Sequence, residues 1–205
     1  IVGFTPPGGI ATHSLPYAGT FNGQGHTVTS LFIDRPGETG VGLFGSVGPT
    51  ATVTNLSLAN VNISGNSEVG AIAGQNSGTI SQVSASGTVA GVVFGTPSAN
   101  NGATSIGGLI GANAGTLTRS YSTATVNGGP FGSTVGGLAG INQAGASIAQ
   151  SYSAGAVSIG NGGLATSGGQ RGGVIGGLVG ENIGSISQTY SSATVTAGAS
   201  TVLVG

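Results

Sequence analysis

The residues able to do acid, base or nucleophilic chemistry are few enough to name. Asp34, Glu38, Glu68 and Glu181, with Arg35, Arg119 and Arg171 and with His13 and His26, stand in a chain of 205 residues that has no Lys and no Cys. Asp34, Arg35 and Glu38 share the run DRPGETG. Paired carboxylates at the right separation can cleave glycosidic bonds, but such a site needs further acids and bases along a groove. Glu68 and Glu181 are isolated, so the run reads as a solvated turn around Pro36 and Gly37. His13 and His26 have no other ligand type near them, which argues against a metal site. No G-x-S-x-G elbow, phosphate-loop lysine or Cys–His pair occurs. The expectation is a non-enzyme with no catalytic residues, cofactor or metal.

The same scarcity bears on partners. Charged residues are 3% of the chain and the formal net charge is −1. Three scattered Arg cannot displace counterions from a run of phosphates, so nucleic acid is not an expected partner. Hydrophobic residues reach 38%, which sets the chain apart from the low-hydrophobicity, high-charge composition of disordered segments. Without Cys there are no disulfides, and redox compartment cannot be argued. No stretch approaches the roughly 20 apolar residues of a membrane helix, so no membrane insertion is expected. The opening IVGFTPPGG shows no basic, then apolar, leader pattern.

Where single residues say little, recurring ones say more. Asn76, Asn113, Asn142 and Asn182 each stand two residues after a Gly, and Tyr121, Tyr152 and Tyr190 each stand four after Leu117, Ile148 and Ile186. They belong to repeats: GGLIGANAGTLTRSYSTATV from Gly107, GGLAGINQAGASIAQSYSAGAV from Gly136 and GGLVGENIGSISQTYSSATV from Gly176. A looser copy starts at Gly70, and the pattern persists upstream from Val41 and Gly19. Taking Gly23, Gly45, Gly74, Gly111, Gly140 and Gly180 as markers gives intervals of 22, 29, 37, 29 and 40 residues. Leu203–Val204 then echoes Leu178 and Val179, so the chain reads as a segment of a longer array.

Within each unit the apolar positions are short and β-like, with Gly, Ser, Thr and Asn between them and no helical stripe. Three brief strands cannot bury an apolar face alone; stacked units can, at about 4.8 Å per coil. These features predict an all-β, right-handed parallel β-helix of six to seven coils, roughly 30 Å long. An up-and-down barrel would instead need two-residue hairpin turns and even strand spacing. Leu43, Ile72, Leu109, Leu138 and Leu178 should stack in one interior column. Residues 1–66 would form introductory coils, and 67–205 the regular repeats of the same solenoid.

Asn at a turn tolerates the left-handed conformation and bonds its own backbone, and in a stack each amide can also bond the next. The four Asn are therefore expected to form a structural ladder. The in-facing set at Tyr121 would be Leu117, Ser120 and Ser122. That arrangement needs one irregularity in the alternation and leaves Tyr pointing outward, in a stacked stripe suited to sugar rings or a protein surface. The extra residues between repeats collect after Val89 and after Val157, always before G-G-L, and should protrude along one edge. A candidate ligand-contact rim follows: Phe94, Asn100, Asn101, Tyr121, Tyr152, Arg171 and Tyr190. The Thr doublets at Thr27, Thr52, Thr123 and Thr194 keep no common register, which argues against a regular ice-binding array. Sequons at Asn55 and Asn62 leave two readings open, Asn-linked sugar and the chance occurrence that an Asn- and Ser-rich chain favours.

The pattern G-G-L-x-G-x-N-x-G-x-[IL]-x-x-S-Y-S resembles the GLUG motif, a Gly-rich repeat of large secreted bacterial adhesins of the filamentous-haemagglutinin type, also found beside some immunoglobulin A proteases. It is clearest at 107–122 and 176–191, the latter with Thr189 for Ser; 136–153 carries two extra residues, and 70–85 has Ser84 in place of Tyr. The likeness extends over about 17–195. It implies a presentation segment of an extracellular or bacterial cell-surface adhesin, with a surface glycan or host protein as partner beside the neighbouring coils of the same chain. The alternatives are an accessory repeat region of a secreted protease or polysaccharide-acting enzyme, and a self-assembling filament.

Overall fold

In a computed structural model of the chain, residues 15–92, 104–129, 133–160, 173–198 and 203–204 are described. Every strand pairing among them is parallel and joins one repeat to the next. The described residues form six coils, whose outermost strand residues are 20 and 47, 52 and 76, 79 and 113, 116 and 142, 147 and 182, and 185 and 204. The result is the parallel β-solenoid that the repeats predict.

Two sheets build the described stack, one through all six coils and the other through coils 1 to 5. One collects the strands Phe44–Val47, Ala73–Asn76, Ile110–Asn113, Ala139–Asn142 and Val179–Asn182, and the other holds the remaining paired strands. The expected three strands per unit become five in the later coils. In coil 4 these are Thr116–Thr118, Tyr121–Ser122, Thr125–Asn127, Thr134–Gly136 and Ala139–Asn142. Corners cut the longer strands into pieces. The first corner has a clear cause: Gln24, Asn55, Gln82, Arg119, Gln150 and Gln188 all adopt φ of 50–55°. This left-handed conformation costs a residue other than Gly or Asn roughly 1–2 kcal/mol. It flips the side-chain alternation by one, which is the irregularity the sequence required.

Alternating residues fill the interior in columns. Val53, Ile80, Leu117, Ile148 and Ile186 stack in one, Ile63, Val89, Val126, Val157 and Val195 in a second, and Val69, Ile106, Val135 and Ile175 in a third. Leu43, Ile72, Leu109, Leu138 and Leu178 form the column foreseen from the repeats. Amide hydrogen bonds tie each level to the next: Ile72 N donates to Leu109 O, Leu109 N to Leu138 O and Leu138 N to Leu178 O, at 2.8–2.9 Å. The middle three are buried, whereas Leu43 and Leu178, towards the two ends, are half-buried.

Glycine is abundant because coils turn sharply while touching their neighbours. A Cβ on Gly136 would press into the carbonyl oxygen of Ala139 and into Val179 and Gly180 of the following coil. One marker is misplaced by the repeat reading. Gly45, Gly74, Gly111, Gly140 and Gly180 share a column, but Gly23 lies against Asn55 and Leu56, at the first corner of coil 1. The upstream copy from Gly19 aligns with Thr52–Val69, so its Gly matches a corner and not the G-L-x-G turn.

Leu138→Asp places an unpaired carboxylate in the middle of the Leu column. It should cost several kcal/mol and lower the melting temperature by many degrees. A thermal melt followed by circular dichroism checks this.

Candidate functional site

The four repeating Asn come together as an amide ladder. Asn76 Nδ2 donates to Asn113 Oδ1 (2.8 Å), Asn113 Nδ2 to Asn142 Oδ1 (2.8 Å), and Asn142 Nδ2 to Asn182 Oδ1 (2.7 Å). Each amide also serves its own turn: Gly78 N donates to Asn76 Oδ1, and Asn113 Nδ2 reaches Gly115 O. Asn76, Asn113 and Asn142 are fully buried. Val47 holds the corresponding place in coil 1, so the ladder begins at coil 2. With both amide atoms bonded inside the stack, the buried members of the ladder have no group left over for a ligand.

The tyrosines form an outward row. Tyr121 and Tyr152 stack with ring centroids 4.9 Å apart, and Tyr152 and Tyr190 at 5.0 Å, each pair within 3° of parallel. Tyr121 is 38% exposed and Tyr190 60%, with Tyr152 half-buried between them. Burial, then the adjoining phenols of Tyr121 and Tyr190, push the Tyr152 hydroxyl above its ordinary pKa of 10.0. On either side of Tyr, Ser120 and Ser122 in coil 4, and Ser151 and Ser153 in coil 5, point inward and are buried. Ser120 Oγ accepts from Val83 N (3.2 Å) and donates to Thr118 O (2.7 Å), while Ser151 Oγ accepts from Ser120 N (3.1 Å). These hydroxyls satisfy backbone groups that the left-handed corner turns out of the ladder.

Beside the Tyr row, two residues earlier in each coil, lies the corner column, with Arg119, Gln150 and Gln188 exposed. On the other flank Thr123, Ala154 and Ser192 are exposed. The sequence foretold an irregularity here but not its identity, since Gln and Arg carry no left-handed signal. A hydroxyl column was also missed: Thr20, Thr52, Thr79, Thr116, Ser147 and Ser185 stand in register. Its signal was the T-[VIL]-[TS] triad opening coils 2 to 4, hidden because other Thr doublets lie on different strands.

The remaining rim residues, Phe94, Asn100, Asn101 and Arg171, lie outside the described residues, as does His13. The chain enters these connections from one edge, after Val92, Gly129 and Gly160. There Val92 N donates to Gly65 O and Gly160 N to Gly129 O. The strand Thr125–Asn127, and its equivalents, stands between that edge and the Tyr row. In DRPGETG, Arg35 Nη1 donates to Glu38 Oε1 at 2.9 Å, and Asp34 Oδ1 accepts from Ser64 Oγ. Gln75 Nε2 donates to Glu68 Oε2 at 2.6 Å. His26 and Glu181 are exposed and apart. Among the described residues, no three His, Asp or Glu side chains gather where they could hold a metal ion. Of the sequon residues, Asn55 occupies the corner and its Nδ2 donates to Asn22 Oδ1, whereas Asn62 faces solvent between Phe32 and Thr88.

No family model matches the chain. Over 75 residues, 37% of this chain, it is 47% identical to halomucin of Haloquadratum walsbyi, covering 1% of that protein. Over 92 residues, 41% of this chain, it is 35% identical to a proposed Gly-rich membrane protein of Evansella cellulosilytica, covering 11% of it. The chain therefore spans a small part of the length of these relatives. Among solved structures, a proposed immunoglobulin A1 protease from Bacteroides ovatus aligns with a TM-score of 0.61, over 86% of this chain and 52% of that one. At 19% identity this is a likeness of fold.

Two measurements probe the rows separately. Asn113→Ala removes the acceptor of Asn76 and the donor of Asn142 together, and should destabilise the chain by about 2–4 kcal/mol in a denaturant titration. Folded Tyr152 holds its proton more tightly than the unfolded residue does. The stabilisation this brings is complete below about pH 10 and is lost as pH climbs through the raised folded value. In Tyr152→Phe, the phenolate absorbance titration should lose its component above pH 10, and the alkaline fall in melting temperature should be shallower.

Proposed function

We propose that this chain is a non-catalytic rod segment of a cell-surface or extracellular protein. It holds contact-making parts at a fixed distance and so supports adhesion. The observation that carries the reading is the continuous parallel pairing of each described coil with the next, joined in coils 2 to 5 by the Asn ladder. A stack of this kind resists bending because every coil is hydrogen-bonded to its neighbours along its perimeter. The names of the two relatives, a halomucin and a Gly-rich membrane protein, favour a place at or beyond the cell surface. The resemblance of the repeat to the GLUG motif of secreted adhesins points the same way.

An accessory repeat region of a secreted protease is the second reading, favoured by the fold likeness to the Bacteroides ovatus chain. On that reading the catalytic groups lie elsewhere in the parent protein and the rod keeps the same mechanical role.

To test the rod, the chain is placed between a bacterial surface anchor and an unrelated binding module, and capture of ligand-coated beads is counted. The native segment should outperform both its Leu138→Asp variant and a flexible Gly/Ser linker of equal residue number. Equal capture by all three would overturn the spacer role. Cleavage of immunoglobulin A1 by the purified chain would overturn its non-catalytic part.

A further inference from the structure

Three outward rows cross coils 4 to 6 side by side: Arg119, Gln150 and Gln188; Tyr121, Tyr152 and Tyr190; and Thr123, Ala154 and Ser192. We infer that this strip is a binding site for an extended, neutral, β-1,4-linked polysaccharide lying along the rod axis. The inference deepens the proposed surface role and rests on it, because it gives the rod a contact of its own.

Two independent observations meet on the strip. The first is the pitch of the aromatic row. Rings 4.9–5.0 Å apart and parallel are too far apart to lie squarely face on face, since carbon contact is reached at about 3.5–4 Å. The stack is therefore offset, like a staircase, and each step leaves part of a ring face and an edge open to solvent. The rise of one step is close to the length of one pyranose ring in an extended β-1,4 chain, so successive sugars meet successive tyrosines without losing register. Apolar sugar faces pack on aromatic rings for the reason aromatic rings pack on each other.

The second is the corner column. Glycine would adopt the left-handed corner without strain, and Asn with little. Coils 1, 3, 5 and 6 nevertheless place Gln there and coil 4 places Arg. The side chain is kept despite the strained backbone. No side-chain hydrogen bond within the stack explains it for Gln150 or Gln188, both of which are exposed. Planar amides and a guanidinium, arrayed at the coil repeat beside aromatic rings, suit a ligand whose rim is a row of hydroxyls, each both donor and acceptor. The strip carries a single charge, Arg119, which suits a neutral chain better than a sulfated or uronic one.

The experiment uses the 205-residue chain and cello-oligosaccharides of two to six rings, with dextran and heparin as controls, measured by titration calorimetry. Affinity should climb with each ring up to three or four and then level off, while dextran and heparin bind at least tenfold more weakly. Tyr121→Ser, Tyr152→Ser and Tyr190→Ser combined should weaken binding at least tenfold. Gln150→Gly with Gln188→Gly should weaken it severalfold while leaving the melting temperature unchanged or higher. If the Tyr variant loses its fold, the Gln pair alone decides. No binding by the native chain, affinity independent of ring number, or full affinity in the Gln variant would each overturn the site. Failure here with success in the bead-capture assay removes the polysaccharide site and leaves the rod; failure in the bead assay alone removes the spacer role.

Discussion

Everything in this molecule depends on one constraint: the backbone of each coil must hydrogen-bond to the coil above and the coil below at a fixed repeat. That requirement makes neighbouring coils copies of each other in space, whatever the loops between them do. A residue type that is favourable once is then favourable in every coil, because it meets its own kind. Branched aliphatic residues fill gaps left by branched aliphatic residues, an amide donates to an amide, and a ring stacks on a ring. Stability is gathered from near-neighbour terms, and charges and disulfides are not needed for it.

The polar interior follows from the same constraint. A left-handed corner tilts peptide groups out of the ladder, and a buried peptide group without a partner is expensive. Ser120 and Ser151 answer this from inside the turn, and Asn76, Asn113 and Asn142 answer it at the turn one short strand earlier. Among the described residues no buried side-chain nitrogen or oxygen lacks a partner. Interior polarity here is structural, and the side chains open to a ligand are those that point outward.

Outward positions are free of the packing requirement but not of the repeat. Thr and Ser rows arise at the coil spacing whether or not anything binds them. A row becomes informative only where it departs from what the scaffold needs, as the Gln and Arg corner does by holding a strained backbone that Gly would adopt freely. The edge where the long connections leave the stack lies beyond the strand Thr125–Asn127, so the Tyr row and that edge are distinct surfaces.

Much of the architecture was legible in the residues alone. The spacing of Leu109, Leu138 and Leu178, of the four Asn and of the three Tyr defined the repeat, and a repeat too short to bury itself must stack. The inward Ser and outward Tyr were legible too, because Leu117, Ser120 and Ser122 cannot share a face without a slip in alternation. Tertiary structure decided what local pattern leaves ambiguous. Gly23 looked like a turn marker and is a corner residue, because coil 1 is aligned by its contacts with Asn55 and Leu56 and not by its own motif. The place of the slip at Gln82, Arg119, Gln150 and Gln188, the hydroxyl column from Thr20 to Ser185, and the 5.0 Å staircase of rings all belong to register between coils. Register is set by hydrogen bonds between segments some 26 to 40 residues apart, and no short window of sequence contains both partners.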